Sequence, residues 1–322
     1  MDPITHAALG ASCSQAVFGK YNKSIPWQVG ALAAMAPDLD IFIRFHNNPL
    51  SMELWHRHFT HSVFFIPLGG VLVTLFLLCF SRYRKYWKIT LGAALVGYAT
   101  HGFLDALTSY GTLLLWPLSY KRISWDIVAI VDPIVTLPLI LGVVWSVIHQ
   151  DQKGVVLGLL FASFIVLFNT LQHQRALQAI QDFATQQKLR LRSIRAMPEL
   201  ASSFYWRAIA KNNHCLLIKR VHTPLLKKSS ITHLAQAPLL SNRINSNLTS
   251  GQQYDFVLFS WFADGYVIVA KQTPMTIADG RYTVGSNPLY SLWGMVFLPR
   301  KDHGNKLSSI LIAKGCTSRS VE

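Results

Sequence analysis

The sequence is poor in cysteine and in acid. Cys13, Cys79, Cys215 and Cys316 are scattered through 322 residues, and neither CxxC nor CxxCH occurs. That spacing predicts no cysteine-based metal site and no disulfide framework. Acidic residues number 15 against 30 basic ones, for a formal net charge of +15. The excess lies mostly outside the apolar runs and is densest between Arg175 and Lys228. Beside a membrane domain it reads as attraction to anionic lipid headgroups, and no nucleic acid is expected as a partner. A secretory signal is also missing, because MDPITHAALGASCSQ has no basic start and only a short, interrupted apolar stretch. Neither an internal repeat nor a low-complexity tract stands out.

What is abundant is hydrocarbon. Apolar residues make up 51% of the chain, and the mean hydropathy is positive. Runs at 62–80, 89–116, 127–148 and 154–171 are each long enough, at ~1.5 Å per helical residue, to cross or nearly cross roughly 30 Å of hydrocarbon. The expected fold is therefore an α-helical membrane bundle of about four transmembrane helices with N-terminal membrane-associated helices, then a small, mainly antiparallel β domain. The expected divisions are a membrane-embedded part over 1–171, a connecting amphipathic helix over 172–198, the β-rich part over 199–300 and a polar tail over 301–322. Asp2 followed by Pro3 signals a helix start. The apolar stretch 25–45 is interrupted by APDLD, so it is expected to pack against the bundle instead of spanning. HCLLIKRVHT, YDFVLFSWFA, GYVIVAKQT, RYTVG and SLWGMVFLP read as strands, with Asp264-Gly265 and Asp279-Gly280 as turns.

Ionisable groups next to hydrocarbon are costly and tend to serve a function. Four clusters qualify: His6 in DPITH, Asp38 and Asp40 in APDLD, His56 and His61 in WHRHFTHS, and His101 and Asp105 in HGFLD. His101 and Asp105, four apart, share one helical face, where both can reach a metal or the carboxylate can orient the imidazole. Each cluster also has a plain reading: a satisfied buried histidine, a turn, or an interfacial anchor with Trp55 and Arg57. His56 and His61 diverge by about 140° on a regular helix, so they meet only if the chain turns between them, for which Thr60 is the candidate cap. His58 has no such partner and reads as a bystander. Four spans would bring all four clusters to one membrane face. Asp126 and Asp132 are expected to cap helices, and Arg57, Lys121 and Arg122 are available to an anionic substrate group.

Taken together, DPITH, PDLD, HRHFTHS, HGFLDALTSYG and IVDPI resemble the bacterial inner-membrane proteins described as membrane-bound metal-dependent hydrolases, related to the prophage-encoded, LexA-regulated members. The likeness covers roughly residues 1–150. It implies a metal site of His6, Asp38, Asp40, His56, His61, His101 and Asp105. A more distant likeness, resting on HGxxD, is to the zinc-dependent phospholipase C and single-strand nuclease group. That group binds three zinc ions, whereas seven side chains here suit two. Imidazole and carboxylate without thiolate suit one or two Zn²⁺ ions, or Mn²⁺. Asp40 or Asp105 would act as base or orienting group, with Arg57 completing the catalytic set. The resulting expectation is a multi-pass inner-membrane hydrolase of phosphodiester or ester bonds in lipid-type substrates, with membrane lipid as its partner. The alternative is a non-catalytic membrane protein with a structural metal site or a cation-handling role.

Overall fold

A computed structural model describes residues 1–43, 50, 54–240, 248–271, 275–283 and 291–297. The expected tail 301–322 lies outside them, as do the ends of three expected strands at 272–273, 284–285 and 298–299. The chain divides into two compact units, Met1–His173 with Pro198–Ser203, and Gln174–Met197 with Phe204–Glu322.

The first unit is helical. Helix α1 (Pro3–Phe18) starts as its sequence dictates, with the Asp2 carboxylate accepting from the Thr5 amide at 3.0 Å. Helix α2 (Ile25–Met35) passes directly into a 3-10 helix, Ala36–Phe42. Pro37 has no amide hydrogen for a continuing α-helical bond, which favours the tighter winding. After the 3-10 turns Phe59–His61 and Val63–Phe65 come α3 (Ile66–Leu77), α4 (Trp87–Ala106), α5 (Pro133–His149) and α6 (Lys153–Gln186). Small residues let α1, α2 and α4 touch. A methyl group on Gly30 would collide with the Gly10 carbonyl and Ser14, and one on Gly97 with the Gly30 backbone. Val29, Ala33, Ala93, Ala94 and Tyr98 fill the space beside this crossing.

The four expected transmembrane helices are not found. Among the described residues one helix, α6, is long and apolar enough to cross a membrane, so multi-pass insertion has one such helix behind it. The run 62–80 loses its start to 3-10 turns, and α3 has 12 residues, about 18 Å of α-helix. The run 127–148 becomes helical only at Pro133, giving 17 residues, about 26 Å. The run 89–116 leaves its helix at Ala106, and that helix buries Thr90, His101 and Asp105. Apolar residues remain bare on the outer faces: Leu68, Leu75 and Phe76 on α3, Leu141 and Trp145 on α5, Leu160, Phe164 and Leu167 on α6.

The second unit begins with the end of α6. Strands β1 (Ser193–Pro198), β2 (Tyr205–Lys211), β3 (Cys215–His222) and β4 (Ser230–Pro238) form a sheet in that order. Alternation along the strands puts Trp206, Ala208, Leu217 and Val221 on one face with Ala176 and Ile180 of α6. Ile209, Leu216 and Ile218 take the other face, with Tyr266 and Ile268. Strands β5 (Val267–Lys271), β6 (Met275–Asp279) and β7 (Gly294–Phe297) make a second antiparallel sheet.

Three local expectations change. Residues 254–263 are not a strand but lie largely within helix α7 (Ser250–Phe262), started by a reciprocal capping box between Thr249 and Gln252. The connecting helix stops at Gln186, and Ser193–Pro198 is strand β1. Cys215 is engaged in a disulfide, against the expectation of no disulfide framework, while Cys13 and Cys79 are free.

Candidate metal centre

Four segments of the first unit meet where α1, α2 and α4 cross. Helix α1 brings His6, the 3-10 helix after α2 brings Asp38 and Asp40, the turn before α3 brings His56, Arg57 and His61, and the last turns of α4 bring His101 and Asp105. Between His56 and His61 the chain turns at Arg57, whose φ of 63° is left-handed and costs a non-glycine residue on the order of 1 kcal/mol. Thr60 does not cap the following helix. Ser62 caps the next 3-10 turn by accepting from the Phe64 amide. Gly102 lets the loop close, because a methyl group there would strike the His61 carbonyl.

Asp38, His61, His101 and Asp105 form one possible donor set. His61 Nε2 lies 2.9 Å from His101 Nε2, 3.5 Å from Asp38 Oδ1 and 3.4 Å from Asp105 Oδ2. His101 Nε2 lies 3.4 Å from Asp38 Oδ1 and 3.6 Å from Asp105 Oδ2. Donors placed tetrahedrally at ~2.0–2.1 Å from an ion are separated by about 3.3–3.4 Å, so these edges fit one ion of that size. The Nδ1 atoms are already committed: that of His101 donates to the Ala34 carbonyl, and that of His61 faces Asp40 Oδ2 at 3.2 Å and the Thr60 hydroxyl at 3.0 Å. When neutral, the two rings therefore turn lone pairs toward each other at Nε2. Asp105 Oδ2 is buried without an aligned hydrogen bond, with Arg57 Nε 3.1 Å away.

Asp40 is the hub of a second layer. Its Oδ1 is 2.8 Å from His56 Nδ1, and its Oδ2 accepts from the Arg57 amide at 3.0 Å and the Thr60 hydroxyl at 2.8 Å. A carboxylate so placed orients histidine rings for metal binding. Asp38, Asp40 and His56 also form a second possible donor set sharing Asp38 with the first. Asp38 and His56 are the partly exposed members, at 23% and 16% of side-chain area, while His6, His61, His101, Asp40 and Asp105 are closed off.

His6 joins through Asp105 and lies outside both donor sets. Its Nε2 is 3.2 Å from Asp105 Oδ1, and its ring stacks on His101 with centroids 3.7 Å apart. Burial, aided by the neighbouring His101, pushes its pKa down to about 3, which keeps it neutral. The Met1 amino group also bonds Asp105 Oδ1. Arg57 Nε lies 3.1 Å from Asp105 Oδ2, its Nη1 donates to Thr108, and its guanidinium covers the Tyr110 ring. Burial alone would lower the pKa of His61, but hydrogen bonds with Asp105, Asp38 and Asp40 overcome it and raise the value to about 10. Burial opposes ionisation of Asp38, yet His101 and His61 hold its carboxyl far below the usual range.

The remaining candidates stand apart. His58 packs among Trp55, Phe59 and Trp116. Arg122 donates to the Gly111 carbonyl and lies over Tyr110. Asp132 caps α5, whereas Asp126 begins no helix. Roles for Thr60, Thr108, Tyr110 and the Ala34 carbonyl were missed from sequence. Thr108 and Tyr110 stand in the quoted HGFLDALTSYG, but a hydroxyl beside a carboxylate has no spacing signature of its own.

The model of a family described as YdjM inner membrane protein matches residues 1–176. An uncharacterized protein, YfhP, of Bacillus subtilis (strain 168) is 29% identical over 105 residues, which is 32% of this chain and 31% of that protein. The match thus spans about a third of that curated relative. No solved structure matches the chain.

Proposed function

The chain belongs to the YdjM inner membrane protein family, and from that premise and its donor geometry we propose a membrane-bound, metal-dependent hydrolase of phosphodiester or ester bonds in lipid-type substrates. One observation carries the reading. His61 and His101 turn Nε2 atoms toward each other at 2.9 Å, with Asp38 Oδ1 and Asp105 Oδ2 within 3.6 Å of both, an arrangement that a proton on His61 or a bound cation stabilises. Asp38, His61, His101 and Asp105 would hold a divalent cation, Zn²⁺ before Mn²⁺ by donor chemistry. Such an ion supplies Lewis acidity, acidifying a water molecule and polarising the bond to be cleaved.

The chain's own groups do the rest. Asp40 keeps the His61 proton on Nδ1 and fixes the His56 ring. The Ala34 carbonyl does the same for His101. Arg57 keeps Asp105 ionised against the effect of burial. Substrate would approach past Asp38 and His56, the partly exposed members, and His56 is the group there able to move a proton. In the second unit, Arg175, Lys227 and Lys228 beside the bare Leu225 and Leu226 suit anionic headgroups, so membrane lipid is the proposed partner and nucleic acid is not.

A non-catalytic, structural metal site is favoured by one observation: the first donor set already supplies four protein ligands, as closed structural zinc sites do. Incubating the purified, metal-loaded chain with phosphodiester, phosphomonoester and carboxylester substrates separates the two. Turnover of one class, lost in His56→Ala with the metal retained, is expected. Silence toward all three with metal bound would favour the structural reading.

A further inference from the structure

An apolar groove beside the metal centre extends the proposed function, on which its assignment to substrate rests. It encloses about 570 Å³ between α2, the 3-10 helix Ala36–Phe42, α3 and α4. Its contacts on α3 run from Gly69 to Leu77, about 12 Å of helix, with Phe65 of the preceding 3-10 turn beside them. Leu32, Leu39, Leu72, Phe76 and the buried Tyr98 line it. Leu32, Leu39, Leu72 and Phe76 are all exposed, so in an inner-membrane protein the groove opens toward hydrocarbon.

Two hydroxyls line it, and both are used. Thr60 donates to Asp40 Oδ2 at 2.8 Å, and Tyr98 donates to the Thr60 carbonyl at 2.9 Å. A polar ligand finds little to bind along this wall. The volume of about 570 Å³ falls in the ~300–1,000 Å³ range of small-molecule pockets. One end of the groove is chemically different from the rest. Thr60 lines the groove and donates to Asp40 Oδ2, and Leu39 stands between Asp38 and Asp40, so the groove adjoins the donor cluster at these residues.

We propose that this groove binds one alkyl chain of a membrane lipid and so presents the ester of that lipid's headgroup to Asp38 and His56, the partly exposed members of the cluster. Hydrocarbon burial supplies affinity at ~0.8 kcal/mol per methylene, and the cluster supplies the chemistry. Substrate class is then set by a long chain next to a phosphoester or ester.

Photolabelling tests this without turnover. The full chain in nanodiscs containing a phospholipid with a diazirine on its acyl chain is irradiated, and labelled residues are mapped by mass spectrometry. Leu39, Leu72 and Phe76 should label several-fold more than the comparably exposed Leu141, Trp145 and Leu160 on the other outer faces. Leu72→Trp, which fills the groove, should remove that excess and leave metal content unchanged. Uniform labelling of all six positions would show annular lipid only and overturn the proposal. Groove-selective labelling in a protein that cleaves no ester would retire the hydrolase reading and leave the lipid groove standing. Cleavage of short-chain esters with uniform labelling would do the reverse.

Discussion

Asp40 and Asp105 are carboxylates of the same chemistry placed in different surroundings. Asp40 faces donors from His56, Arg57, Thr60 and His61, whereas Asp105 Oδ2 has no aligned hydrogen bond and lies 3.1 Å from Arg57 Nε and within 3.6 Å of both Nε2 atoms. The first should position and the second should bind. We therefore expect Asp40→Asn to weaken metal affinity by ~10–100-fold, the usual cost of losing an orienting partner, and Asp105→Asn to abolish retention. Competition with a chelator of known strength measures both, and equal losses would contradict the division. Protons give a second prediction. The folded pKa of His61, raised to about 10, lies above the ordinary ~6.5. In the metal-free protein its charge thus adds stability fully present below about 6.5 and lost as pH rises through about 10. A cation needs Nε2 unprotonated, so zinc uptake at pH 7.5 should release protons and affinity should rise with pH. A weakly buffered titration with no proton release would remove His61 from the ligand set.

Elements hold these residues through close backbone contact. Gly102 follows His101 and lies against the His61 carbonyl, so Gly102→Ala should displace the loop and lower metal affinity with the helices intact by circular dichroism. An unchanged affinity would mean the loop is not set there. In the second unit, Thr249→Ala removes half of the capping box of α7 and should cost about 1 kcal/mol in denaturant unfolding. Some elements were legible from sequence. The Asp2–Pro3 start of α1 and the His101–Asp105 pairing on α4 follow from local rules that tertiary packing leaves in place. Helix α7 was not, because YDFVLFSWFA has strand-like composition. The three-residue spacing of Phe256, Phe259 and Phe262, all buried on one face, together with the Thr249 cap, outweighs composition. Run length misled in the membrane part, since apolarity reports burial but not against what. The 3-10 turns before α3 and the late start of α5 shorten two helices below a bilayer crossing.

At the scale of the whole molecule, the clusters meet by a route other than the expected one. Chain connectivity through four spans would have gathered them at one face. Small residues at the α1, α2 and α4 crossing and a left-handed turn at Arg57 gather them instead. The membrane assignment rests on the family and on α6, of whose most apolar stretch 33% is buried. The full chain should therefore stay in the membrane fraction through alkaline carbonate extraction, and its release would contradict the assignment. The central claim is that separate segments make one metal site, and metal analysis of the purified full chain tests it most directly. Beside the native chain stand His61→Ala, His101→Ala and, as a control in the same loop, His58→Ala. Bound metal in the native and His58→Ala proteins with loss in the other two is the result this account predicts. Equal metal content in all four would contradict it.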